Sequence, residues 1–429
     1  MRSWRTALGL LVVAGVLSGI GSGLTAFVVA TEAFLRTRDA TAVGWLTACG
    51  MGPLILMAPV GGMLADRYDR RLMMLIGDGG SGLLLGIVVW QLASPATSLV
   101  GIGAGVALSA AMAGLTEPAL RATISDLVPA QHLDRASGLM QLSQALRWLV
   151  APALAAVLLL VLPAAAVVAL DIASFAATAA AAVAIRSVLG SRPAWSGSAG
   201  QELRTIVGVL RLDGVGSLIG LMAVAGAAMG IVETLLTPLV MGFASRTWLG
   251  VVTSLSASGM LLGAVLVSAV GVRLNLRTGL AVGLGGAGLA LAVLSVRADL
   301  VLVTAAGVGF FLVLPLANAS AEVLLRRGVP NQQLGRAWGA AGLISQLGTV
   351  AAMLAAGPLT DRLFAPAVAE GRLGLDRLLG TGPGRGAAAG ILVAGLILVV
   401  TGVLVVRSAA LGRLAACDCE AASGSDQIE

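Results

Sequence analysis

The feature that most constrains this chain is a series of long apolar runs that fill most of its 429 residues. A helix rises about 1.5 Å per residue, so about 20 apolar residues match the ~30 Å hydrocarbon core of a membrane. Hydrophobic residues make up 58% of the chain and charged residues only 11%, which excludes an ordinary soluble domain. We therefore predict an all-α membrane protein with twelve transmembrane helices. The predicted spans are 8–30, 42–64, 72–92, a fourth that ends near 120, a fifth that ends near 162, 164–185, 215–241, 248–270, 278–296, 300–322, 338–359 and 387–406.

One long polar stretch divides these spans into two sets of six. It contains Arg192, Pro193, Gly197 and Gly200, the residue types that interrupt helices and form linkers. The predicted organisation is an N-terminal six-helix half at 1–186, a cytoplasmic linker at 187–214, a C-terminal six-helix half at 215–406 and a disordered cytoplasmic tail at 407–429.

Two internal repeats relate the halves. The sequence VPAQHLDRASG at 128–138 returns as VPNQQLGRAWG at 329–339. The residues Gly44, Thr47, Arg67 and Arg71 correspond in the same way to Gly250, Thr253, Arg273 and Arg277, whereas Asp66 corresponds to Val272. The halves are therefore predicted to be pseudo-symmetric copies of one unit, and the second copy has lost a carboxylate.

A dense charged turn with the sequence GMLADRYDRR occupies residues 62–71, between the second and third spans. Its pattern, G-x-L-A-D-R-x-x-R-R, resembles the loop signature between helices 2 and 3 of the major facilitator superfamily of secondary transporters. The chain departs from that signature at Asp69, where a second glycine is usual, so this turn is less free to adopt a positive φ. The resemblance implies two six-helix halves with a substrate path near the middle of the membrane.

In a transporter of that family, the charged turn would act as a gating latch that closes the cytoplasmic side and opens during alternating access. Asp66 is expected to face the positively polarised N-terminal end of helix 11. The arginines are expected to pair with carboxylates on neighbouring loops. The predicted latch consists of Gly62, which would let two helices approach each other, with Asp66, Arg67, Arg70 and Arg71.

Further motifs look like one exporter branch of the superfamily, which includes the enterobactin exporter and macrolide-efflux-like proteins. The likeness runs from about Gly9 to Val406. It implies an exporter, and it leaves the cargo open because the branch exports different molecules. The motifs are Leu127-Val128-Pro129 with Arg135-Ala136, Leu170-Asp171 with Ser174-Phe175, Gly357-Pro358-Leu359 with Asp361-Arg362, and Gly382-Pro383-Gly384-Arg385-Gly386.

The residue types argue against enzyme chemistry. All 27 basic residues are arginine, so the lysine of a P-loop or of a Schiff base is missing. His132 is the one histidine, which excludes a His-based metal cluster and disfavours a Ser-His-Asp triad. We expect no catalytic residues, no cofactor and no metal site. The net charge of +6 indicates arginines at a membrane rim and no nucleic-acid partner.

The arginines also predict the orientation. They are concentrated in the segments that share a side with the N-terminus, and cytoplasmic loops are the ones enriched in basic residues. Both termini are therefore predicted to be cytoplasmic, in a multi-pass protein of the inner (plasma) membrane. We expect a monomer in the lipid bilayer.

Charged residues inside the predicted spans are candidates for proton or substrate binding, because burying a charge in a membrane is costly. Arg147 and Asp171 are predicted at similar depth and could form an ion pair, which either takes part in transport or only locks helices 5 and 6 together. Glu233 in helix 7 and Glu32 at the outer end of helix 1 are the alternative proton carriers. Glu32 could equally be a solvated loop residue.

The leading hypothesis is a secondary active transporter that exports a small amphipathic molecule, such as a drug, a macrolide or a siderophore, in exchange for protons. An uptake symporter on the same fold is the alternative. A membrane-embedded enzyme or a channel is the alternative from another class, but an enzyme would need a cluster of catalytic residues, and a channel would not need a latch.

Overall fold

The computed structural model describes residues 4–184, 212–270, 275–330, 333–371 and 374–416, together with residues 208 and 210. The side chains of residues 66, 125, 130, 133–135, 137, 142–144, 184, 270 and 416 lie outside this description. Twelve of the described helices are long and apolar enough to cross a membrane, as predicted. They are α1 (Trp4–Thr37), α2 (Ala40–Arg67), α3 (Arg70–Ala93), α4 (Leu99–Leu127), α5 (Leu133–Val161), α6 (Ala164–Ala184), α7 (Val215–Met241), α8 (Arg246–Val270), α9 (Leu276–Val296), α10 (Leu300–Gly328), α11 (Leu334–Leu359) and α12 (Arg385–Arg407).

Several helices extend beyond the apolar runs that predicted them. The C-terminal parts of α4 and α10 are polar, and each contains a glutamate that pairs with an arginine one turn later: Glu117 with Arg121, and Glu322 with Arg326. Side chains four residues apart lie on the same face of a helix, so such pairs support a helix outside the apolar region. Hydropathy therefore predicts which part of a helix lies in lipid, but it does not predict the residue at which the helix ends.

The chain divides into two compact units. The first contains α1–α6 together with Ala244–Ser254, which includes the start of α8, and the second contains the rest of α8 and the other described helices. Most of the predicted linker at 187–214 lies outside the described residues.

In the first unit, α4 packs against α2 and α3, α6 packs against α1 and α3, and α5 packs against α1. Two buried serines tie α3 to α4, because the hydroxyl of Ser81 donates to the carbonyl of Ser109 at 3.0 Å and that of Ser109 donates to the carbonyl of Ser81 at 3.1 Å. The backbones of α2 and α4 come close at Gly61, where a Cβ would lie 2.6 Å from the carbonyl oxygen of Gly114. Small residues at helix crossings are typical of membrane bundles.

In the second unit, α9 packs against α10 and α12, and α7 packs against α11 and α12. A Cβ at Gly395 in α12 would lie 2.6 Å from the carbonyl oxygen of Gly288 in α9. The hydroxyl of Ser345 in α11 donates to the carbonyl of Met222 in α7 at 3.0 Å. Both units therefore use close backbone approach and serine hydroxyls where their helices cross.

The repeat predicted from the sequence has matching local structure in the two units. Val128 and Val329 end α4 and α10 in the same extended conformation. In the turn that follows, the amide of His132 donates to the carbonyl of Pro129 at 2.8 Å, and the amide of Gln333 donates to that of Pro330 at the same distance. The described residues of the two loops therefore match in backbone geometry as well as in sequence.

The predicted disordered tail is wrong for its first part, because residues Ala409–Ala416 form a further helix, α13. Leu411 and Leu414 are buried on one face of this helix. The guanidinium of Arg413 binds both carboxylate oxygens of Asp213, at 2.9 and 3.1 Å, and Arg327 donates to the carbonyl of Ala415 at 3.1 Å. Apolar burial and these polar contacts hold the helix, and residues 417–429 lie outside the described part.

Candidate functional site

Asp171, a predicted proton or substrate site, is buried in the first unit with 2% of its surface exposed. The hydroxyl of Thr25 donates to its Oδ2 at 2.7 Å, and those of Ser174 and Ser22 lie 3.1 and 3.5 Å from its Oδ1. Helix α1 supplies Ser22 and Thr25, and α6 supplies Ser174. A hydroxyl can donate or accept a hydrogen bond, so this cluster suits the carboxyl group in both its charged and its protonated form.

Two glycines allow α1 to approach the helices that carry this site. A Cβ at Gly21 would lie 2.5 Å from both Asp171 Oδ1 and Ser174 Oγ, and 3.1 Å from the Cα of Asp171. A Cβ at Gly23 would lie 2.5 Å from the Cβ of Ala151 in α5. The hydroxyls of α1 reach Asp171 because no side chain separates α1 from α6 at Gly21.

Arg147 does not form the predicted direct ion pair with Asp171 among the described side chains. Its guanidinium carbon lies 5.9 Å from the ring centroid of Trp148, while hydroxyl groups hold the carboxylate of Asp171. Arg147 still attracts the carboxylate electrostatically. The predicted ion pair is therefore wrong for this structure, since neutral hydrogen-bond partners and not a cation contact the carboxylate.

The two glutamates proposed as alternative carriers are not isolated carboxyl groups. Glu32 lies inside α1 and not in a loop, and its Oε2 lies 3.2 Å from the Nε of Arg36 one turn later. Glu233 is partly buried in the middle of α7 and interacts with its surroundings. Neither glutamate is therefore the unpaired carboxyl group that was predicted to carry a proton. Proton binding by Glu32 or Glu233 stays a prediction.

Sequence reasoning missed Asp78, a second buried carboxyl group in the first unit. It lies in α3 with 2% of its surface exposed and faces the hydroxyls of Thr178 in α6 and Thr116 in α4. Its Oδ2 has no hydrogen-bond partner among the described residues. The sequence did contain a signal for this residue, because Asp78 lies within the apolar run from Leu72 to Leu92 and charged residues in membrane spans are rarely without a role.

Arg385 is the corresponding missed residue in the second unit. It starts α12 and is 3% exposed, and its Nη1 donates to the carbonyl of Leu379 at 2.9 Å and to that of Ser295 at 3.4 Å. These bonds tie the segment before α12 to the end of α9. The sequence placed Arg385 in a motif without indicating that its side chain is buried.

The charged turn between α2 and α3 is shorter than its sequence predicted. Helix α2 continues to Arg67, and α3 begins at Arg70, so only Tyr68 and Asp69 lie between them. Asp69 caps α3, because its side chain accepts a hydrogen bond from the amide of Arg71 at 2.9 Å. Its φ of −61° requires no glycine, which explains how the chain tolerates aspartate at this position.

Arg70 is the predicted latch arginine whose side chain contacts both α2 and α4. Its Nε lies 3.2 Å from the carbonyl oxygen of Ala65, and its Nη1 contacts the carbonyl of Ala122 at 3.0 Å and the carboxylate of Asp126. One guanidinium therefore holds the end of α2, the start of α3 and the end of α4 together. Arg67 is exposed, and Arg71 has further interactions of its own.

Gly62 does not have the packing role predicted for it. A Cβ at Gly62 would meet no atom within 4 Å, and the close approach occurs at the neighbouring Gly61. The two glycines lie about 100° apart around α2, so only one can face α4. Asp66 lies in the last turn of α2, but its side chain is outside the described residues, so its role in a latch stays a prediction.

The second copy of the turn retains the cap and an arginine tie. Asn275 caps α9 by accepting a hydrogen bond from the amide of Arg277 at 3.0 Å, as Asp69 does for Arg71. The Nε of Arg277 donates to the carbonyl of Val405 in α12 at 3.0 Å. Arg273 lies outside the described residues.

Several solved structures of membrane transporters have the same fold as this chain. A nucleoside transporter matches with a TM-score of 0.74 and 10% identity over 93% of this chain and 99% of its own. A POT family transporter in complex with a thioalcohol conjugated peptide matches with a TM-score of 0.72 and 13% identity over 93% and 95%. A bacterial homologue of the human lysosomal transporter Spinster matches with a TM-score of 0.69 and 14% identity over 97% and 98%.

Curated relatives match in sequence over a shorter region. Macrolide efflux protein A of Streptococcus pyogenes is 28% identical over 140 residues, which are 32% of this chain and 34% of the relative. Macrolide efflux protein A of Enterococcus faecalis is 28% identical over 130 residues, 30% of this chain and 39% of the relative. The match therefore spans little more than a third of these relatives.

The family model of the Major Facilitator Superfamily matches residues 11–353, most of the chain. The chain thus belongs to the Major Facilitator Superfamily, as a multi-pass membrane transporter and not an enzyme.

Proposed function

We propose that this transporter exports a small amphipathic molecule in exchange for protons, and that Asp171 carries the proton. The export direction, the coupling ion and the cargo are all part of this proposal. Drugs, macrolides and siderophores are the cargo classes expected from the sequence.

The observation on which the proposal rests is the chemistry around Asp171. The carboxyl group is almost fully buried, and three hydroxyl groups contact it where a cation would be expected. A buried carboxylate in a permanent ion pair resists protonation, because the cation stabilises the charged form. Hydroxyl partners stabilise the charged form less than a cation does and can also accept a hydrogen bond from the protonated form, so the group can gain and lose a proton during a transport cycle.

The export direction is supported by the relatives named macrolide efflux protein A. Their match covers about a third of their length, so the cargo of those proteins is a starting point for the test.

We further propose that the charged turn is the cytoplasmic latch, with Arg70 as its anchor. Its contacts join the ends of three helices at one membrane face, which supports a role in holding that face together. The arginine-rich loops support a cytoplasmic position for this face and for both termini.

The test is proton movement in inside-out vesicles that contain the protein. A pH-sensitive dye reports the proton gradient while macrolides, lipophilic cations and siderophores are added one at a time. We expect at least one compound to dissipate the gradient with the native protein and not with Asp171→Asn, which keeps the shape of the side chain and cannot ionise.

The matched control is Asp213→Asn, the same chemical change at an exposed ion pair with Arg413. This variant should behave like the native protein. Proton movement with Asp171→Asn equal to that of the native protein would eliminate Asp171 as the carrier. Substrate accumulation in right-side-out vesicles, driven by an inward proton gradient, would instead support the uptake symporter.

A further inference from the structure

Asp78 is a buried carboxyl group to which the proposed mechanism gives no role. Only 2% of its surface is exposed, and its Oδ2 has no hydrogen-bond partner in the described part of the chain. The hydroxyl of Thr116, which it faces, also has no partner there. Leaving a buried charged oxygen unpaired is costly, whereas a protonated carboxyl group can donate its hydrogen to a neighbouring hydroxyl. The surroundings of Asp78 therefore suit a group that takes up a proton.

The charged residues on the neighbouring helices leave Asp78 without a direct counter-ion. Asp171 is the one charged residue of α6. On α4, Glu117 pairs with Arg121 and Asp126 pairs with Arg70. The charged residues of α2, Asp66 and Arg67, lie in its last turn. The ionisation of Asp78 is therefore governed by its burial and by its hydroxyl neighbours.

Helix α6 joins Asp78 to Asp171. Asp171, Ser174 and Thr178 are spaced by three and four residues, which places them on one face of the helix. Asp171 and Ser174 contact the hydroxyl cluster of α1, and Thr178, two turns further along, faces Asp78. The hydroxyl groups of Ser174 and Thr178 therefore lie along one face of α6, between the carboxyl groups of Asp171 and Asp78.

The depths of these groups match the thickness of a membrane. Asp171 lies about 10 Å from the first residue of α6, and Thr178 lies about 10 Å beyond Asp171. Asp78 lies about 12 Å from the first residue of α3. Because three chain crossings separate the two helices, α3 and α6 begin at opposite membrane faces. The sum of these three distances matches the ~30 Å thickness of the hydrocarbon core.

We propose that Asp78 is a second protonation site, which exchanges a proton with Asp171 along the polar face of α6. In this step the O–H bond of protonated Asp171 breaks and an O–H bond forms on the carboxylate of Asp78, so the two groups exchange charge and the total charge is unchanged. The hydroxyls of Ser174 and Thr178, with water that enters between them, pass the proton on. This inference rests on the proposed proton coupling, and it places one carboxyl group nearer each membrane face.

Infrared difference spectroscopy tests the proposal without requiring transport. The purified protein in lipid is titrated between about pH 5 and pH 9 while the C=O stretch of protonated carboxyl groups is recorded. We expect two buried carboxyl bands that change with pH in the native protein and in the control Asp213→Asn. Asp78→Asn should remove one band and Asp171→Asn the other. A spectrum in which Asp78→Asn removes no band would overturn the proposal.

A transport assay with the same variants separates this inference from the proposed function. Gradient-driven export by Asp78→Asn should fall about tenfold or more, while exchange of labelled for unlabelled cargo, which needs no net proton transfer, is retained. Native export rates in Asp78→Asn would overturn the second site even if Asp171 is the carrier. Absence of any proton-coupled export by the native protein would instead refute the proposed function, and the spectra would still report on Asp78.

Should Asp78→Asn fail to fold, Thr178→Val and Thr116→Val serve in its place. Each removes one hydroxyl group that faces Asp78 and keeps the volume of the side chain. At least one of them should shift the carboxyl band that Asp171→Asn leaves in place. Bands that are unmoved in both variants would refute the assignment to Asp78.

Discussion

The close approach of α1 and α6 at Gly21 gives the sharpest prediction. In Gly21→Ala, the new Cβ would lie 2.5 Å from Asp171 Oδ1 and Ser174 Oγ, and 3.1 Å from the Cα of Asp171. The two oxygens can move by side-chain rotation, but the Cα belongs to the backbone of α6. The helices must therefore separate by a few tenths of an ångström, which stretches the hydrogen bond between Thr25 and Asp171.

Overpacking of this kind costs about 1–3 kcal/mol of unfolding free energy. The matched control is Gly15→Ala in the same helix, where a Cβ would meet no atom within 4 Å. Alanine is favoured over glycine in a helix by about 0.5–1 kcal/mol, so this control should be neutral or stabilising. The helix preference applies to both variants and cancels, so they should differ in stability by the overpacking cost, about 1–3 kcal/mol.

The measurement is unfolding of both variants in mixed micelles by a denaturing detergent, followed by tryptophan fluorescence. Gly21→Ala should unfold at a lower detergent fraction than the native protein and Gly15→Ala at the same or a higher one. Equal unfolding free energies for the two variants would show that Gly21 is not needed for close packing and that the reasoning about this site is wrong.

Three further predictions address the site, the turn and the orientation. Thr25→Val removes the 2.7 Å hydrogen bond that favours the charged form of Asp171, so the pH midpoint of proton-coupled export should rise by about one unit. Arg70→Lys should destabilise the protein by about 1–3 kcal/mol in the same unfolding assay, because an ammonium group cannot bind its three acceptors with the geometry of a guanidinium. A membrane-impermeant maleimide should label Cys417 and Cys419 in inside-out vesicles only, in a Cys49→Ser background.

Each of these predictions has a result that contradicts it. An unchanged pH midpoint in Thr25→Val would mean that Asp171 does not set the pH dependence. Native stability of Arg70→Lys would mean that the contacts of Arg70 do not hold the helix ends. Labelling in right-side-out vesicles would reverse the predicted orientation.

Much of the fold followed from the sequence, because membrane spans are defined by length and mean hydropathy. A run of about 20 apolar residues must satisfy its backbone hydrogen bonds within itself in lipid, so each run predicted one helix, and the described residues contain the twelve that were expected. The repeats predicted two corresponding loops, and Val128 and Val329, with which they begin, have the same extended conformation. The motif at 62–71 and the motifs along the chain indicated the superfamily to which it belongs.

The arrangement of the site was decided by the tertiary structure. Lipid tails and the interior of a helix bundle are equally apolar, so the sequence does not indicate which face of a helix meets another helix. For this reason only the tertiary structure reveals the hydroxyl partners of Asp171 and the surroundings of Asp78. It also reveals that the helices approach each other closely at Gly61 and not at Gly62. The residue types and their depth in the membrane were readable from the sequence alone, whereas the contacts that give each charge its chemistry depend on how the helices are rotated against one another.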